Sequence, residues 1–198
     1  MKATTKEAVR SALFEAFFVV LGVSLALAAN EWRQLRADKA QSHQAISVIV
    51  QELKANRELV KSARGYHQNL IQHIHQLHGQ KSTPGLELFS GGFVAPARTS
   101  RTAWASASET GALAKTDYLT VMELSKAYAL QEYYAAQARS IGDILYAEIF
   151  KNGTQSVIEN HVNLASTIST LLYRENELIK VYDSTIIAFE IAANSADS

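Results

Sequence analysis

A metal ion could in principle be bound by a group of four histidines near the middle of the chain: His67, His73, His75 and His78. On a helix, His75 and His78 would share one face, as would His67 and His78, and two such imidazoles could hold a metal ion. No acidic residue lies between His67 and Leu86, and no H-E-x-x-H motif is present. We therefore interpret the cluster as a polar helix end and predict no metal site. Sensing of pH by neutral histidines is a weaker alternative.

Other catalytic patterns are missing from the sequence. There is no cysteine, which excludes disulfides, thiolate metal sites and a cysteine nucleophile. There is neither a glycine-rich phosphate loop nor a G-x-S-x-G motif. Carboxylates are scattered over predicted helices without a pairing that demands acid–base catalysis: Asp143, Glu148, Glu159, Glu175, Glu177 and Glu190. The sequence predicts a protein that is not an enzyme and that binds no cofactor.

Glu15 is the one charged residue in the apolar run 11–29. An acid at the centre of a membrane span costs roughly 2.5–3.5 kcal/mol on insertion scales, and less near an end. Gly22 and Ala26 form a small-x-x-x-small pair, which lets two helices approach closely in a bilayer. We interpret Glu15, Gly22 and Ala26 as a surface for transmembrane association. Snorkelling of Glu15 to the headgroups and a proton-carrying role are the alternatives.

The run 11–29 predicts a transmembrane helix. At 1.5 Å per residue it spans roughly 28 Å, close to a hydrocarbon core of about 30 Å. Arg10 before it, and Trp32 and Arg33 after it, are placed to anchor the span at the two interfaces. The alternatives are a signal peptide cleaved at an A-x-A-like site, residues 26–28, and the buried helix of a soluble protein.

The charge pattern gives only a weak orientation. Each flank of the span carries three Lys or Arg residues, so the positive-inside rule is close to a tie. A short basic N-terminal tail usually stays inside, so we expect 1–10 in the cytoplasm and 30–198 in the periplasm of a bacterial inner-membrane protein. The formal net charge is zero, which argues against nucleic acid as a partner.

Outside the span, the pattern predicts a small antiparallel helical bundle and an all-α fold. Apolar residues repeat every seven positions along two seams, so the span should continue as a rod helix to about His78 and end at Gly79. The seams contain Ile46, Leu53, Val60, His67, Ile74 and Ile49, Asn56, Ala63, Leu70, Leu77. The polar seam residues Asn56 and His67 either fix the register or, more commonly, face the wet edge of the bundle.

A loop and three further helices are predicted after the rod. The loop 80–99 holds Leu86, Phe89 and Phe93, which should dock onto the bundle or onto a partner. A short helix should run from Thr102 to Leu113. A tyrosine-rich helix, capped by Thr116 or Asp117, should run to about Lys151, followed by one helix over 154–193. The tyrosines are interpreted as core aromatics, with an apolar ligand pocket as the alternative.

The N-terminal residues resemble the signature of a family of uncharacterised bacterial single-span membrane proteins. The matching run consists of Glu15, Val19-Val20-Leu21-Gly22-Val23, Leu25-Ala26-Leu27, Asn30, Trp32 and Arg36. A weaker echo lies in Trp104, Gly111-Ala112-Leu113 and Tyr133-Tyr134. The strong part covers about the first 60 residues, and the family offers no activity to transfer. The resemblance implies an anchored helical domain of unknown function.

Three functions follow as expectations. The first is a non-enzymatic accessory or scaffold subunit that meets the lipid bilayer and associates with itself or with a larger membrane complex. The second is a periplasmic sensory or ligand-binding module that uses loop 80–99 and the tyrosine-rich helix. The third is an ion-coupled, stator-like subunit in which Glu15 carries protons.

Overall fold

The computed structural model describes the backbone of residues 3–196 and the side chains of residues 9, 10 and 12–191. No strand occurs among these residues, so the predicted all-α fold is confirmed. The helices are α1 (Ala3–Gly79), α2 (Thr102–Glu109), α3 (Tyr118–Asn152), α4 (Thr154–Glu159) and α5 (His161–Ala196), with a 3-10 turn at Leu86–Phe89.

Helix α1 joins the apolar run to the bundle without interruption. It has 77 residues and is therefore about 115 Å long. Its N-terminal part is the one stretch of the described chain that is long and apolar enough to cross a membrane. Every described side chain from 12 to 29 is exposed, so the run is not part of the bundle core.

Residues 30–41 of α1, called the stalk here, connect the apolar run to the bundle. All of their side chains are exposed except that of Asp38, which is half-buried. Among the side chains that the structure describes, Ser42 is the first buried one, so the stalk projects about 18 Å as a single helix. At its base, the Arg36 guanidinium lies 4.8 Å from the ring centre of Trp32.

The bundle consists of three long helices, and α5 packs against both α1 and α3. α5 runs antiparallel to α1, because Lys54 pairs with Glu190 at 2.6 Å whereas the rings of His78 and His161 meet at the far end. α3 runs antiparallel to α5 and in the same direction as α1. The end that holds His78 is therefore the end far from the apolar run, called the distal end here, and α5 returns toward the stalk.

The two predicted heptad seams of α1 form its buried face. Ile49, Leu53, Val60 and Ile74 are at most 2 % exposed, and they pack into two apolar clusters, one along the middle of the bundle and one at the distal end. The apolar face of α5 is buried too: Leu164, Ile168, Leu171, Leu178, Ile179, Tyr182 and Ile186, with Phe189 partly buried. The 3.6-residue period of the apolar residues accounts for this packing.

Several helix ends differ from the sequence-based expectation. The short helix stops at Glu109 rather than Leu113, and tight turns follow that bury Leu113. The single helix expected over 154–193 is broken at Asn160, whose ψ of 25° departs from the helical value, and the side chains of Asn160 and His161 bond the carbonyls of Ser156 and Ile158 there. Of the two predicted caps of α3, Asp117 is the one used: its carboxylate accepts the N–H of Thr120 at 3.0 Å.

Candidate functional site

A segment without helix, residues 93–100, crosses the bundle surface and is called the strap here. Within the described part of the chain, its backbone makes no hydrogen bond to another backbone group. Instead, its amides and carbonyls bond side chains that project from α1 and α3. Backbone groups near a core have to be paired, so these side chains are what makes an extended strap possible here.

The deepest of these side chains form a chain of three. His67 Nδ1 lies 2.9 and 3.1 Å from the two carboxylate oxygens of Glu175, and both residues are fully buried. The Tyr134 hydroxyl donates to Glu175 Oε1 at 3.1 Å. On their other sides, the N–H of Ala95 donates to His67 Nε2 at 3.2 Å, and that of Ala97 to the Tyr134 hydroxyl at 2.8 Å.

These partners assign the hydrogens. Nε2 of His67 receives an N–H, so it carries none, and Nδ1 must donate to Glu175 from a neutral ring. Tyr134 receives one N–H and has its own hydrogen left for Glu175. Burial, together with the nearby Glu175 charge, raises the pKa of Tyr134 well above its ordinary value, which keeps that hydrogen in place. Glu175 is therefore a buried acceptor of two hydrogen bonds.

The His67–Glu175 pair has the geometry of the base and the orienting acid in a nucleophilic triad. Such a pair can take a proton only through the free ring nitrogen. In this structure Nε2 of His67 is already bonded to the amide of Ala95. The arrangement therefore holds the strap, and His67 could act as a base only after the strap has moved away.

A second group of polar side chains holds the end of the strap at Ser100. Asn56 bonds both backbone groups of Ser100, accepting its N–H at 2.8 Å and donating to its carbonyl at 2.7 Å. Gln131 donates to the same carbonyl at 2.9 Å, and its own oxygen accepts from Asn56 and from the hydroxyl of Tyr182. These bonds fix the backbone of Ser100 against α1 and α3, and Tyr182 of α5 joins the set through Gln131.

Glu52 links the strap to α2. Its carboxylate accepts from the Tyr128 hydroxyl at 2.6 Å, the Ser100 hydroxyl at 2.7 Å and the N–H of Ala103 at 3.0 Å. Burial alone would raise the pKa of Glu52, but these hydrogen bonds outweigh it and lower the pKa. Because Arg101, at the N-cap of α2, provides no side-chain cap, Glu52 of α1 supplies the acceptor and the negative charge that a helix start favours.

Of the two interpretations of Asn56 and His67, the one in which they face the wet edge of the bundle is wrong, and a role in fixing the register stays a prediction. Asn56 is 1 % exposed and His67 is fully buried. Their partners Gln131, Tyr134 and Glu175 were missed, because each lies more than 60 residues away and carries no local motif. The one sequence feature that could have indicated this network is the occurrence of Asn56 and His67 in the apolar seams of α1, together with a tyrosine-rich helix that could pack against them.

The tyrosines of α3 are only partly core residues. Tyr128 and Tyr134 are buried and belong to the polar network, whereas Tyr118, Tyr133 and Tyr146 are exposed. A groove of about 600 Å³ lies further along the same helix, between α3, α4 and α5. This distal groove is lined mainly by apolar side chains, including Ile144, Leu145, Val157 and Leu164.

The three residues predicted for transmembrane association lie on one stripe of α1. Gly22 and Ala26 follow Glu15 by seven and eleven residues, which places all three within about 40° around the helix. Each is exposed, and a Cβ built on Gly22 would meet no atom within 4 Å. The predicted interface anchors Arg10, Trp32 and Arg33 are exposed as well. All six residues lie outside the bundle and away from the strap.

The loop residues singled out in the sequence separate in the structure. Phe89 is buried in the distal apolar cluster, and Phe93 packs on it with ring centres 4.7 Å apart. Leu86 remains 59 % exposed. Two of the three side chains therefore dock onto their own bundle, and Leu86 alone is available to a partner.

Comparison with protein-family models, with curated proteins and with solved structures finds no match. The family resemblance of the N-terminal residues therefore stays a prediction.

Proposed function

We propose that this chain is a membrane-anchored, non-enzymatic accessory or scaffold subunit, which associates through its span and its helical rod with itself or with a larger membrane complex. The exposure of the apolar run supports this most directly. Phe14, Phe18 and Leu25 are each at least 57 % exposed, and no part of the bundle covers them. A helix that is apolar on all sides needs lipid or other helices around it.

The stripe formed by Glu15, Gly22 and Ala26 is the surface proposed for the partner helix. Glu15 is costly in lipid unless a polar group of a second helix forms a hydrogen bond with it. The small residues Gly22 and Ala26 on the same stripe allow that second helix to approach closely. The three side chains of the stripe are exposed and no bundle atom lies near Gly22, so the stripe stays open for a second chain.

The interior of the bundle fits a scaffold better than a catalyst. His67, Glu175 and Tyr134 are engaged with each other and with the strap, and Asn56 and Gln131 close around Ser100. These bonds hold the strap firmly against the middle of the bundle. Placement in a bacterial inner membrane, with the N-terminus in the cytoplasm and the bundle in the periplasm, is part of the proposal.

The test is recovery of the tagged full-length protein from native membranes in mild detergent, with mass spectrometry of the proteins that accompany it. Gly22→Leu and Glu15→Ala should lose a stoichiometric membrane partner, or the other copies of the chain, that the parent protein retains. Ser24→Leu is the matched control, because it places the same leucine side chain on the opposite face of the helix. Recovery of a lone monomer, or equal loss with Ser24→Leu, would contradict the proposal.

The distal groove favours a second candidate, a ligand-binding module. Its volume of about 600 Å³ and its apolar lining are in the range of small-molecule sites. Native mass spectrometry of the purified chain should then reveal a bound apolar molecule. Ala147→Trp, which fills the groove, should remove it, whereas Ala136→Trp on an exposed position of the same helix should not.

A further inference from the structure

His161, the first residue of α5, has one ring nitrogen without a partner. Its Nδ1 lies 2.9 Å from the carbonyl oxygen of Ile158, and because a carbonyl only accepts, Nδ1 carries the hydrogen. Nε2 is therefore left with a lone pair. That atom is buried and has no hydrogen-bond partner in the described part of the chain, in a residue only 8 % exposed. A buried acceptor without a donor is unfavourable, so the position requires an explanation.

The state of this ring is the one that binds metals. Histidine ligands coordinate through one nitrogen, and the other usually donates its hydrogen to a carbonyl or a carboxylate, which fixes the tautomer and the ring orientation. Ile158 provides that second contact for His161. The break between α4 and α5 places the carbonyl there, so the orientation is built into the backbone.

A second imidazole lies opposite. The ring centres of His161 and His78 are 6.1 Å apart with an angle of 63° between the rings. Two histidines on one tetrahedral zinc ion, with Zn–N bonds of about 2.0–2.1 Å, have ring centres roughly 5 Å apart. His78 lies in the last turn of α1 and is exposed, so its ring can turn to close this difference and to admit an ion.

We propose that His78 and His161 bind a late first-row divalent transition-metal ion, such as Zn²⁺ or Cu²⁺. No group of three or more His, Cys, Asp or Glu side chains with metal-binding geometry occurs among the described residues, so water completes the coordination. Imidazole prefers such ions to Mg²⁺ or Ca²⁺, and Cu²⁺ binds more tightly than Zn²⁺. The ion ties the end of α1 to the start of α5 across the distal end of the bundle.

The pairing differs from the one considered in the sequence. There, His75 and His78 were weighed as a pair on one helix and rejected. The structure supplies His161 from another helix, 83 residues after His78 in the chain, as the ligand with a fixed free nitrogen. A metal across two helices stabilises the fold by binding the native state only.

The experiment is titration of the full-length protein, purified in detergent with a histidine-free tag, with ZnCl₂ and with CuCl₂ in a calorimeter. The parent protein should bind one ion per chain, Cu²⁺ more tightly than Zn²⁺, and show no heat with Mg²⁺. His78→Ala should weaken binding at least tenfold, as should His161→Ala. His73→Ala is the matched control, because His73 is exposed on α1 and bonds its own helix at the carbonyl of Asn69.

Two further measurements distinguish metal coordination by His78 and His161 from a role of the two rings in packing alone. Zn²⁺ should raise the thermal midpoint of the parent protein and leave that of His78→Ala unchanged, and His78 is exposed enough for this variant to fold. The electron paramagnetic resonance spectrum of the Cu²⁺-loaded protein should show the hyperfine splitting expected for two nitrogen ligands. Absence of saturable binding below about 100 µM ion, or binding that His78→Ala leaves intact or that His73→Ala abolishes equally, would overturn the proposal.

Discussion

Glu175 places a carboxylate in the centre of the bundle, where its side chain is fully buried. A buried carboxylate is tolerated only when hydrogen bonds replace the water that it has lost. His67 and Tyr134 provide two such bonds, and each of them in turn receives an amide of the strap. At the scale of single residues, one acid thus determines the ring tautomer of His67 and the path of the strap.

Glu175→Gln should lower the free energy of unfolding by about 1–3 kcal/mol. The amide presents an N–H group where two donors, His67 and Tyr134, require an acceptor. Glu177→Gln is the control, because Glu177 pairs only with Lys180 near the surface and its loss should cost at most about 0.5 kcal/mol. Chemical denaturation followed by circular dichroism measures both, and equal losses would show that the network is unimportant.

Glu52 should make the stability depend on acid pH. Its pKa in the folded chain lies below the ordinary value of 4.5, so the folded state binds its proton less readily than the unfolded state does. The contribution of Glu52 is therefore present above that ordinary pKa and is lost as the pH falls through the folded pKa. Denaturation between pH 6 and pH 3 should show a smaller acid loss for Glu52→Gln than for the parent protein, and identical pH profiles would refute the assignment.

Helix ends decide how the secondary elements are arranged. Gly153 separates α3 from α4 with φ of +81° and ψ of 166°, a backbone conformation that only glycine adopts readily. It lets the chain reverse within one residue, so that α4 and α5 return along α3. Gly142, by contrast, lies inside α3 with open space around it.

Alanine at these two glycines should have opposite effects. Gly153→Ala should destabilise the fold by about 1–3 kcal/mol, since the required φ is strained for any side chain. Gly142→Ala should stabilise it by about 0.5–1 kcal/mol, because alanine is the better helix former and its Cβ meets no atom within 4 Å. Thermal unfolding compares the two variants, and a shift of the same sign in both would contradict the argument.

At the scale of the whole molecule, one continuous helix joins three environments. The apolar run, the exposed stalk and the buried seam belong to α1 without a break. With the run proposed to lie in the membrane, a single helix of about 18 Å would separate the membrane surface from the bundle. The distal groove and the His78–His161 pair would then lie well away from the bilayer.

The proposed topology predicts the behaviour of fusions at the C-terminus. Alkaline phosphatase, which matures only in the periplasm, should be active when fused after Ser198, and a fluorescent protein that matures only in the cytoplasm should be dark. Removing residues 1–29 should keep both fusions in the cytoplasm and reverse the result. Bright fluorescence and an inactive phosphatase in the full-length fusion would place the bundle in the cytoplasm.

The sequence by itself determined the features that depend on local pattern. Hydropathy marked the run 11–29, heptads marked the buried face of α1, and Thr116 or Asp117 marked the start of α3. Helical periodicity and capping act over a few residues, so one sequence suffices to find them. The apolar face of α5 can be recognised in the sequence for the same reason, because its apolar residues follow the helical period.

Tertiary structure alone decided the pairing of polar groups. Glu175 looked like one of several scattered acids, and only packing places it against His67, 108 residues away. The same holds for His161, whose ring bonds the carbonyl of Ile158 at the break between α4 and α5. The spacing of apolar residues does not predict that break. Polar partners in a core are chosen by the geometry of the assembled helices, because a hydrogen bond depends on positions to within a fraction of an ångström, whereas burial depends only on which face a residue occupies.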